Sequence, residues 1–192
     1  MCNEFIIEFV KKNLTAWEVT GKRVLEVGAY DVNGTCRPYI ESLSPQQYIG
    51  IDIRLGPCVD LICDVEEIEA RFGAYSFDIL LCTEVLEHVE DWRTAVRNLK
   101  AVIRPSGVIL LTTRSRGFHL HDYPGDYWRF GVGDMKQIFG DFLDVTVEPD
   151  PKDPGVFVKA RKPIPNDYRA VDLDSLTVYE VVPGQDGLKE RV

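Results

Sequence analysis

Length, composition and charge narrow what this chain can be. Its 192 residues suit one domain with an extension better than two full domains. The 31 aspartates and glutamates outnumber the 22 lysines and arginines, and the formal net charge of −9 disfavours binding to nucleic-acid phosphates. No apolar run reaches the roughly 18 residues that span a membrane, and the five cysteines form no C-x-x-C pair. We therefore expect a soluble, cytoplasmic protein with reduced cysteines and no membrane partner.

The first twenty residues predict a helix that covers one face of a sheet. The apolar residues that recur there at helical spacing are Phe5, Ile6, Phe9, Val10, Leu14 and Trp17. Gly21 follows them as a stop signal. Residues 1–20 are therefore expected to form an N-terminal covering helix.

Five apolar segments then read as buried strands. They are RVLEVG (23–28), YIGIDI (48–53), VDLIC (59–63), FDILLC (77–82) and GVILLTT (107–113). Helical patterns alternate with them, at 35–43 and at 92–103, and Pro38 is tolerated in the first turn of the former. Alternating buried strands and helices predict an α/β fold with a parallel sheet.

The later part of the chain changes character. Residues 135–140 read as a short helix, and the segments 142–148 and 155–161 flank a turn-rich stretch, so they predict a closing hairpin. We expect one domain over residues 1–162 and a partly irregular C-terminal extension over 163–192. Within that extension, residues 176–182 could add an edge strand.

Residues that follow three of the predicted strands indicate a ligand site. Gly28 ends the first strand and Gly34 follows, where backbone amides of an open α/β sheet approach a ligand. Asp52 ends the second strand, 24 positions after Gly28 (52 − 28), where an acid can accept hydrogen bonds from ribose hydroxyls. Asp64 ends the third strand and could receive an adenine amino group. Each acid could instead cap the helix that follows it.

A nicotinamide dehydrogenase is the first rival interpretation. It requires G-x-G-x-x-G, whereas Ala29, Tyr30 and Asp31 follow Gly28 here. A carboxylate facing a pyrophosphate is electrostatically unfavourable, and Glu26 with Asp31 suits a cationic ligand better.

The motifs together resemble the class I S-adenosylmethionine-dependent methyltransferases, of the type 11-like kind, from about residue 23 to residue 161. The segments that carry the resemblance are VLEVGAYDVNGT, YIGIDI, VDLICDVEEI, and FDILLCTEVLEHV followed by LKAVIRPSGVILLTT. It implies a Rossmann-like, seven-stranded, mostly parallel sheet with an antiparallel closing hairpin in a three-layer α/β/α sandwich. It also implies S-adenosyl-L-methionine as cofactor and S-adenosyl-L-homocysteine as product.

The resemblance implies cofactor-binding residues by position. The residues expected to hold the methionine end are Glu26, Gly28, Ala29, Tyr30 and Asp31. Asp52 and Ile53 are expected at the ribose, and Asp64 and Val65 at the adenine. Cys82 and Thr83 are expected to line the cofactor from the end of the fourth strand. Tyr30 departs from the family, which usually has glycine there. Since a bulky residue with positive φ is an outlier, either the loop takes another path or the site is altered.

Histidines and one aromatic stretch supply the remaining candidates. His88 and His121 are the candidate general bases, because imidazole titrates near neutrality. His119 and His121 form an H-x-H pair, but no third ligand is evident, so no metal is expected. His88 could equally fix its own turn.

The stretch GFHLHDYPGDYWRFG predicts either a substrate lid or a packed cover over the cofactor. Its candidate acceptor-binding residues are His119, Tyr123, Tyr127, Trp128 and Arg129. Arg129 could hold an acidic group of the substrate, or pair with Asp122 or Asp126.

The sequence thus predicts methyl transfer to an oxygen, nitrogen or carbon atom of a small or medium-sized acceptor. The alternative is a non-catalytic cofactor-binding or scaffold protein on the same fold. The pattern leaves open whether the chain is a monomer or a homodimer.

Overall fold

Nine strands organise the described part of the chain. The computed structural model describes residues 3–121 and 125–181. In chain order the strands are β1 (Arg23–Val27), β2 (Gln47–Asp52), β3 (Leu61–Ile62), β4 (Phe77–Thr83), β5 (Ile103–Arg114), β6 (Trp128–Arg129), β7 (Leu143–Pro149), β8 (Gly155–Arg161) and β9 (Tyr179–Glu180). Seven of them form one sheet in the order β3-β2-β1-β4-β5-β8-β7.

The direction of the strands confirms the predicted sheet. The pairs β1–β2, β1–β4, β2–β3 and β4–β5 are parallel, whereas β8 runs antiparallel to both β5 and β7. This is the mostly parallel, Rossmann-like sheet with an antiparallel closing hairpin. The third strand is shorter than predicted, and the fifth begins earlier, at Ile103, with a register shift against β4.

Helices cover both faces of this sheet, which confirms the three-layer α/β/α arrangement. They are α1 (Glu4–Asn13), α2 (Ala16–Val19), α3 (Arg37–Ser42), α4 (Ile68–Phe72), α5 (Trp92–Val102) and α6 (Val132–Ile138). Because strand side chains alternate, Val24 packs with the α1–α3 layer and Leu25 with the α4–α6 layer. No helix in the described part of the chain is long and apolar enough to cross a bilayer.

The N-terminal covering helix is interrupted, contrary to the prediction. Helix α1 ends at Asn13, and Thr15 begins α2 by donating its backbone N–H to the carboxylate of Glu18 at 3.0 Å. Ile6 in α1 is buried as expected, but Trp17 is 92% exposed on α2. Assigning Trp17 to the apolar face was therefore wrong, because the break at residues 14–15 changes the helical phase.

The described part of the C-terminal extension packs onto the domain. Leu173 and Val178 are buried in the core, and the Arg93 guanidinium donates hydrogen bonds to the carbonyl oxygens of Leu173 and Leu176 at 3.1 and 2.6 Å. The edge strand that the sequence suggested is the two-residue β9, which pairs antiparallel with β6 in a separate small sheet. The extension thereby reaches the loop that follows β5.

Candidate active site

A cavity of about 310 Å³ opens at the carboxyl ends of four neighbouring strands. Each strand contributes a residue at or just beyond its end: Asp64 from β3, Asp52 from β2, Gly28 from β1 and Glu84 from β4. Open α/β sheets bind ligands at this edge, and a cavity of this volume is the size of a small-molecule site. Three of these four positions are among those that the sequence selected.

Gly28 is the residue that the first turn requires. Its φ is +75°, and a Cβ placed on it would lie 2.3 Å from Val85 Cγ2. Its backbone N–H donates to the carbonyl oxygen of Ile51 at 2.9 Å, which ties the turn to β2. A side chain is therefore excluded by conformation and by space, and the backbone is left open toward the cavity.

Tyr30 follows a different path from the glycine that the family usually has there. It does not take a positive φ, and its N–H points to Asp52 Oδ2 at 3.4 Å. Its ring packs on Gly56, where a Cβ would lie 1.9 Å from the ring, and the Arg54 guanidinium lies 5.5 Å from the ring centroid. The loop accommodates Tyr30 without strain, so the first of the two sequence alternatives describes this chain.

The two acids at the ends of β2 and β3 both face the cavity. Asp52 is half-buried and accepts a hydrogen bond from the Arg54 N–H at 3.1 Å. Asp64 is exposed and accepts one from the Glu66 N–H at 3.0 Å, so it also caps the turn that follows it. The neighbouring predicted residues that line the same wall are Ile53 and Val65.

The cavity is strongly acidic. The carboxylates that line it are those of Asp52, Asp64, Glu66, Glu84 and Glu90. Among the described lining residues, Arg54 is the one arginine, and it lies against the Tyr30 ring. Such a surface attracts a cationic ligand and repels a pyrophosphate, which agrees with the reasoning against a dinucleotide.

Glu84, just past the end of β4, is buried and strained. Its φ is +57°, an uncommon conformation for a residue other than glycine. The Thr112 hydroxyl donates to its carboxylate at 2.9 Å, and Arg114, which also contacts Asp150, forms an ion pair with it. Burial and the nearby Glu87 raise the pKa of Glu84, while Arg114 lowers it. The pKa of Glu84 is raised overall, so Arg114 offsets only part of the effect of burial and of Glu87.

The two candidate bases lie side by side. His88 lines the cavity and ends the turn Leu86–His88, and its ring centroid is 4.7 Å from that of His121. His88 Nδ1 hydrogen-bonds to the carbonyl oxygen of Gly125, so it must be the protonated nitrogen of the neutral ring. His121 Nδ1 lies 3.0 Å from Asp126 Oδ2. Both rings are fixed through Nδ1, which leaves each Nε2 for other partners.

Glu87 is the residue that sequence reasoning missed. It is fully buried, and its Oε2 accepts a hydrogen bond from the Thr113 hydroxyl at 2.7 Å. Its Oε1 has no hydrogen-bond partner in the described residues and lies 3.9 Å from His88 Nε2 and 4.0 Å from His121 Nε2. The sequence offered no third ligand for the His119–His121 pair, yet the fold brings Glu87, His88 and His121 together.

Comparison of the sequence with known protein families identifies the family of this chain. Residues 3–138 match the family model described as a methyltransferase domain, which covers most of the chain. The chain belongs to the methyltransferase domain family. This confirms the class I resemblance predicted from the strand-end motifs.

Several relatives and solved structures are similar to this methyltransferase domain. The ubiquinone biosynthesis O-methyltransferase of Coxiella burnetii (strain RSA 493 / Nine Mile phase I) is 26% identical over 141 residues, which cover 64% of this chain and 55% of that protein. The chain therefore spans about half the length of that relative.

Two solved structures share the fold. The Burkholderia thailandensis 1,6-didemethyltoxoflavin-N1-methyltransferase, with 1,6-didemethyltoxoflavin and S-adenosylhomocysteine bound, has a TM-score of 0.61 at 20% identity, covering 82% of this chain and 78% of that one. The Haemonchus contortus phosphoethanolamine N-methyltransferase 2, in complex with S-adenosyl-L-methionine, has a TM-score of 0.64 at 17% identity, covering 84% and 53%.

Some predicted cofactor residues of the methyltransferase domain lie outside the cavity lining. They are Glu26, Ala29, Asp31, Cys82 and Thr83. Cys82 is fully buried in the core because its side chain points into the α4–α6 layer. Glu26 accepts a hydrogen bond from the Tyr48 hydroxyl at 2.5 Å, and burial, with Glu26 beside it, raises the pKa of Tyr48. Glu84 and Val85, past the strand end, line the cavity where Cys82 and Thr83 were expected.

Arg129 stabilises the loop after β5 instead of facing the cavity. Its guanidinium is 1% exposed and forms a bidentate ion pair with Asp126, and Nη2 also donates to the carbonyl oxygen of His119 at 3.1 Å. Although burial raises the pKa of Asp126, hydrogen bonds from Arg129 and His121 hold it well below its usual range. Of the alternatives open for Arg129, pairing with Asp126 is the one that the fold adopts.

The other predicted acceptor residues of the methyltransferase domain have different positions. Tyr127 lines the cavity, and its N–H donates to the carbonyl oxygen of Glu87 at 2.8 Å. Trp128 Nε1 instead donates to the carbonyl oxygen of Val89 at 2.9 Å. His119 is exposed and stacks on Phe118, and Tyr123 lies outside the described residues. The described part of the stretch therefore packs on the turn after β4 and presents Tyr127 to the cavity.

Proposed function

We propose that the cavity binds S-adenosyl-L-methionine and that the protein transfers its methyl group to a small or medium-sized acceptor, releasing S-adenosyl-L-homocysteine. The observation that carries the proposal is the acidic cavity at the ends of β3, β2, β1 and β4, with Asp64, Asp52 and Gly28 in strand order. The sulfonium and ammonium groups of this cofactor are cationic, and the lining carboxylates complement them. Membership of the family supports the same reaction.

Each part of the cofactor has a place in this scheme. Asp52 accepts hydrogen bonds from the ribose hydroxyls, and Asp64 with Val65 contacts the adenine. The bare backbone of Gly28 allows the methionine end to approach β1 closely. The cofactor supplies the reactive methyl group, so these residues act by binding and orientation.

His88 is the proposed general base on the acceptor side. Its Nδ1 proton is committed to the carbonyl oxygen of Gly125, so its Nε2 carries the lone pair that accepts a proton. Tyr127 forms the neighbouring wall. A hydroxyl or amine acceptor would need such a base, and the relatives named O-methyltransferases favour an oxygen atom.

The scaffold alternative has lost its main support. It rested on Tyr30, which the loop accommodates without a positive φ. We also propose residues 1–162 as the methyltransferase domain and residues 163–192 as an extension. Four described cysteines are free, which supports a cytoplasmic location.

Calorimetric titration of the purified protein with S-adenosyl-L-methionine, and separately with NADH, tests the proposal. We expect saturable binding of the former alone. Asp52→Ala should weaken it by about 1–3 kcal/mol, because two hydroxyl contacts are lost. Asp144→Ala is the matched control, since that carboxylate is 73% exposed and lies outside the cavity lining. Absence of S-adenosyl-L-methionine binding, or equal affinity in both variants, would contradict the proposed site.

A further inference from the structure

Two imidazoles and one carboxylate lie close together beside the cavity, but they are too far apart for direct hydrogen bonds. Glu87 Oε1 lies 3.9 Å from His88 Nε2 and 4.0 Å from His121 Nε2, and a hydrogen bond at such distances is negligible. Glu87 is fully buried, and this oxygen has no hydrogen-bond partner in the described residues. A buried carboxylate oxygen without a partner costs several kcal/mol, so the arrangement indicates a bound cation.

The far side of each imidazole is arranged as in metal sites. His88 Nδ1 bonds to the carbonyl oxygen of Gly125, and His121 Nδ1 bonds to Asp126, which Arg129 holds in turn. Metal-ligating histidines usually donate their other nitrogen to a carbonyl or carboxylate, which fixes the tautomer and the ring orientation. Both Nε2 atoms are thereby directed toward Glu87 as lone-pair donors.

The charges around the three groups favour a divalent cation. The buried network contains the carboxyl groups of Glu84, Glu87, Asp126 and Asp150 and the guanidinium groups of Arg114 and Arg129. Arg114 is already paired with Glu84 and Asp150, and Arg129 with Asp126. Glu87 therefore has no guanidinium of its own in this network.

We propose that Glu87 Oε1, His88 Nε2 and His121 Nε2 bind a divalent transition-metal ion, with Zn²⁺ as the reference case. The donor set of two imidazoles and one carboxylate suits Zn²⁺, Fe²⁺ or Co²⁺ better than Mg²⁺ or Ca²⁺. Ligand atoms around a tetrahedral ion with the usual bond lengths lie about 3.3–3.6 Å apart, so each nitrogen needs to approach Glu87 Oε1 by about half an ångström. The three ligand atoms all lie within 4.8 Å of one another. Three protein ligands leave at least one coordination position for an exogenous ligand.

The role of that open position rests on the proposed function. Because His88 lines the cavity, the ion lies on its acceptor side. An acceptor hydroxyl bound to the ion would have a lowered pKa and would release its proton to solvent, and the resulting oxyanion would take the methyl group from the cofactor sulfur. The site thus selects acceptors that carry a metal-binding oxygen, such as a phenol with a neighbouring oxygen. In the metal-bound form His88 is a ligand, and the ion takes over the activation assigned above to its Nε2.

The first experiment measures metal binding by the full chain, freed of any purification tag and of metal. We expect one equivalent of Zn²⁺ by competition with a chromophoric chelator. With Co²⁺, X-ray absorption should show two imidazoles and no sulfur ligand, which separates this site from the free cysteines. Absence of stoichiometric binding, or a sulfur-containing coordination shell, would overturn the proposal.

Matched variants locate the ion. Glu87→Gln keeps the shape and the acceptor for Thr113, and it should weaken Zn²⁺ binding by more than about 100-fold, as should His121→Asn. Asp126→Asn acts on the ligand orientation and should cost about 10- to 100-fold. His119→Asn removes the remaining histidine, which is exposed and stacked on Phe118, and should leave the affinity unchanged. Equal affinity in all four variants would overturn the assignment.

The outcome for the ion and the outcome for the cofactor are read separately. Calorimetry with S-adenosyl-L-methionine on the metal-free chain tests the proposed function, since Asp52 and Asp64 lie at the ends of other strands. Zn²⁺ binding without cofactor binding would support the metal site and contradict the proposed function. Cofactor binding without Zn²⁺ binding would support the proposed function and contradict the metal site. Circular dichroism identifies any variant that fails to fold. For such a variant, the X-ray absorption spectrum of the unsubstituted chain tests the metal site instead.

Discussion

The two ends of the cavity are built differently. At the β2–β3 end, the acids lie on short loops, are half-buried or exposed, and bond to backbone amides of near neighbours, as Asp52 does with Arg54 and Asp64 with Glu66. At the β4–β5 end, buried charged side chains from elements that are distant in the sequence form ion pairs, as Arg114 does with Glu84. The first end is set by local backbone conformation, and the second by a coupled network.

The largest expected effect is the loss of a buried ion pair at the coupled end. Arg129→Met leaves Asp126 charged and buried without its guanidinium, and should lower the free energy of unfolding by about 3–5 kcal/mol. Arg97→Met, which breaks the exposed pair with Asp174, should cost about 0–1 kcal/mol. Urea unfolding of the two variants makes the measurement, and similar small losses would remove the contrast between the buried network and an exposed ion pair.

Acid should weaken the buried ion pair between Asp126 and Arg129. Because the folded pKa of Asp126 is lowered, its stabilising contribution is fully present above the ordinary aspartate pKa and is lost as the pH falls below it. The difference in unfolding free energy between the parent chain and Asp126→Asn should shrink by about 1.4 kcal/mol per pH unit below about pH 4. Denaturant unfolding at several pH values tests this. A difference that is independent of pH, as we expect for the exposed Asp144→Asn, would contradict it.

A smaller effect is expected at the first turn. Gly28→Ala forces a side chain into a positive φ and against Val85, and should cost about 1–3 kcal/mol of stability while weakening S-adenosyl-L-methionine binding. Gly133→Ala is its control, because in helix α6 the added Cβ meets no described atom within 4 Å, and it should gain about 0.5–1 kcal/mol. Thermal unfolding compares them, and changes of the same sign would refute the conformational argument.

The smallest effect concerns the residue that departs from the family. Tyr30→Ala removes the stacking with Arg54, which is worth about 0.5–1 kcal/mol at a partly exposed site. Cofactor affinity should therefore fall less than in Asp52→Ala, as measured by calorimetry. A marked gain in affinity would mean that Tyr30 obstructs the cavity after all.

Most of the fold could be predicted because its signals are local. Continuous apolar segments gave the parallel strands, and the turn-rich segment between two apolar ones gave the hairpin of β7 and β8. The prediction of one continuous N-terminal helix was wrong because a local signal marks a second helix start. The T-x-x-E pattern of Thr15 and Glu18 is a capping box, and it marks a new helix start in the middle of the expected one.

The candidate site was predictable at one end and not at the other. Gly28, Asp52 and Asp64 follow from strand ends, since parallel strands bring their carboxyl ends to one edge. The partners of Glu84 and Glu87 come from β5, and no spacing in the sequence reveals which of two neighbouring carboxylates meets which side chain. The turn after β4, with its positive φ at Glu84, sets those directions.

The pairing of β6 with β9 gives the folding of this chain an order. The Val181 N–H donates to the carbonyl oxygen of Tyr127 at 2.7 Å, so the cavity wall is held by a strand made after all seven strands of the main sheet. On the ribosome, all strands of the main sheet have been synthesised once β8 has emerged, whereas β9, the partner of β6, has not. During synthesis, β6 can therefore pair with β9 only after every strand of the main sheet has been made, so this part of the cavity wall is the last to receive its partner strand.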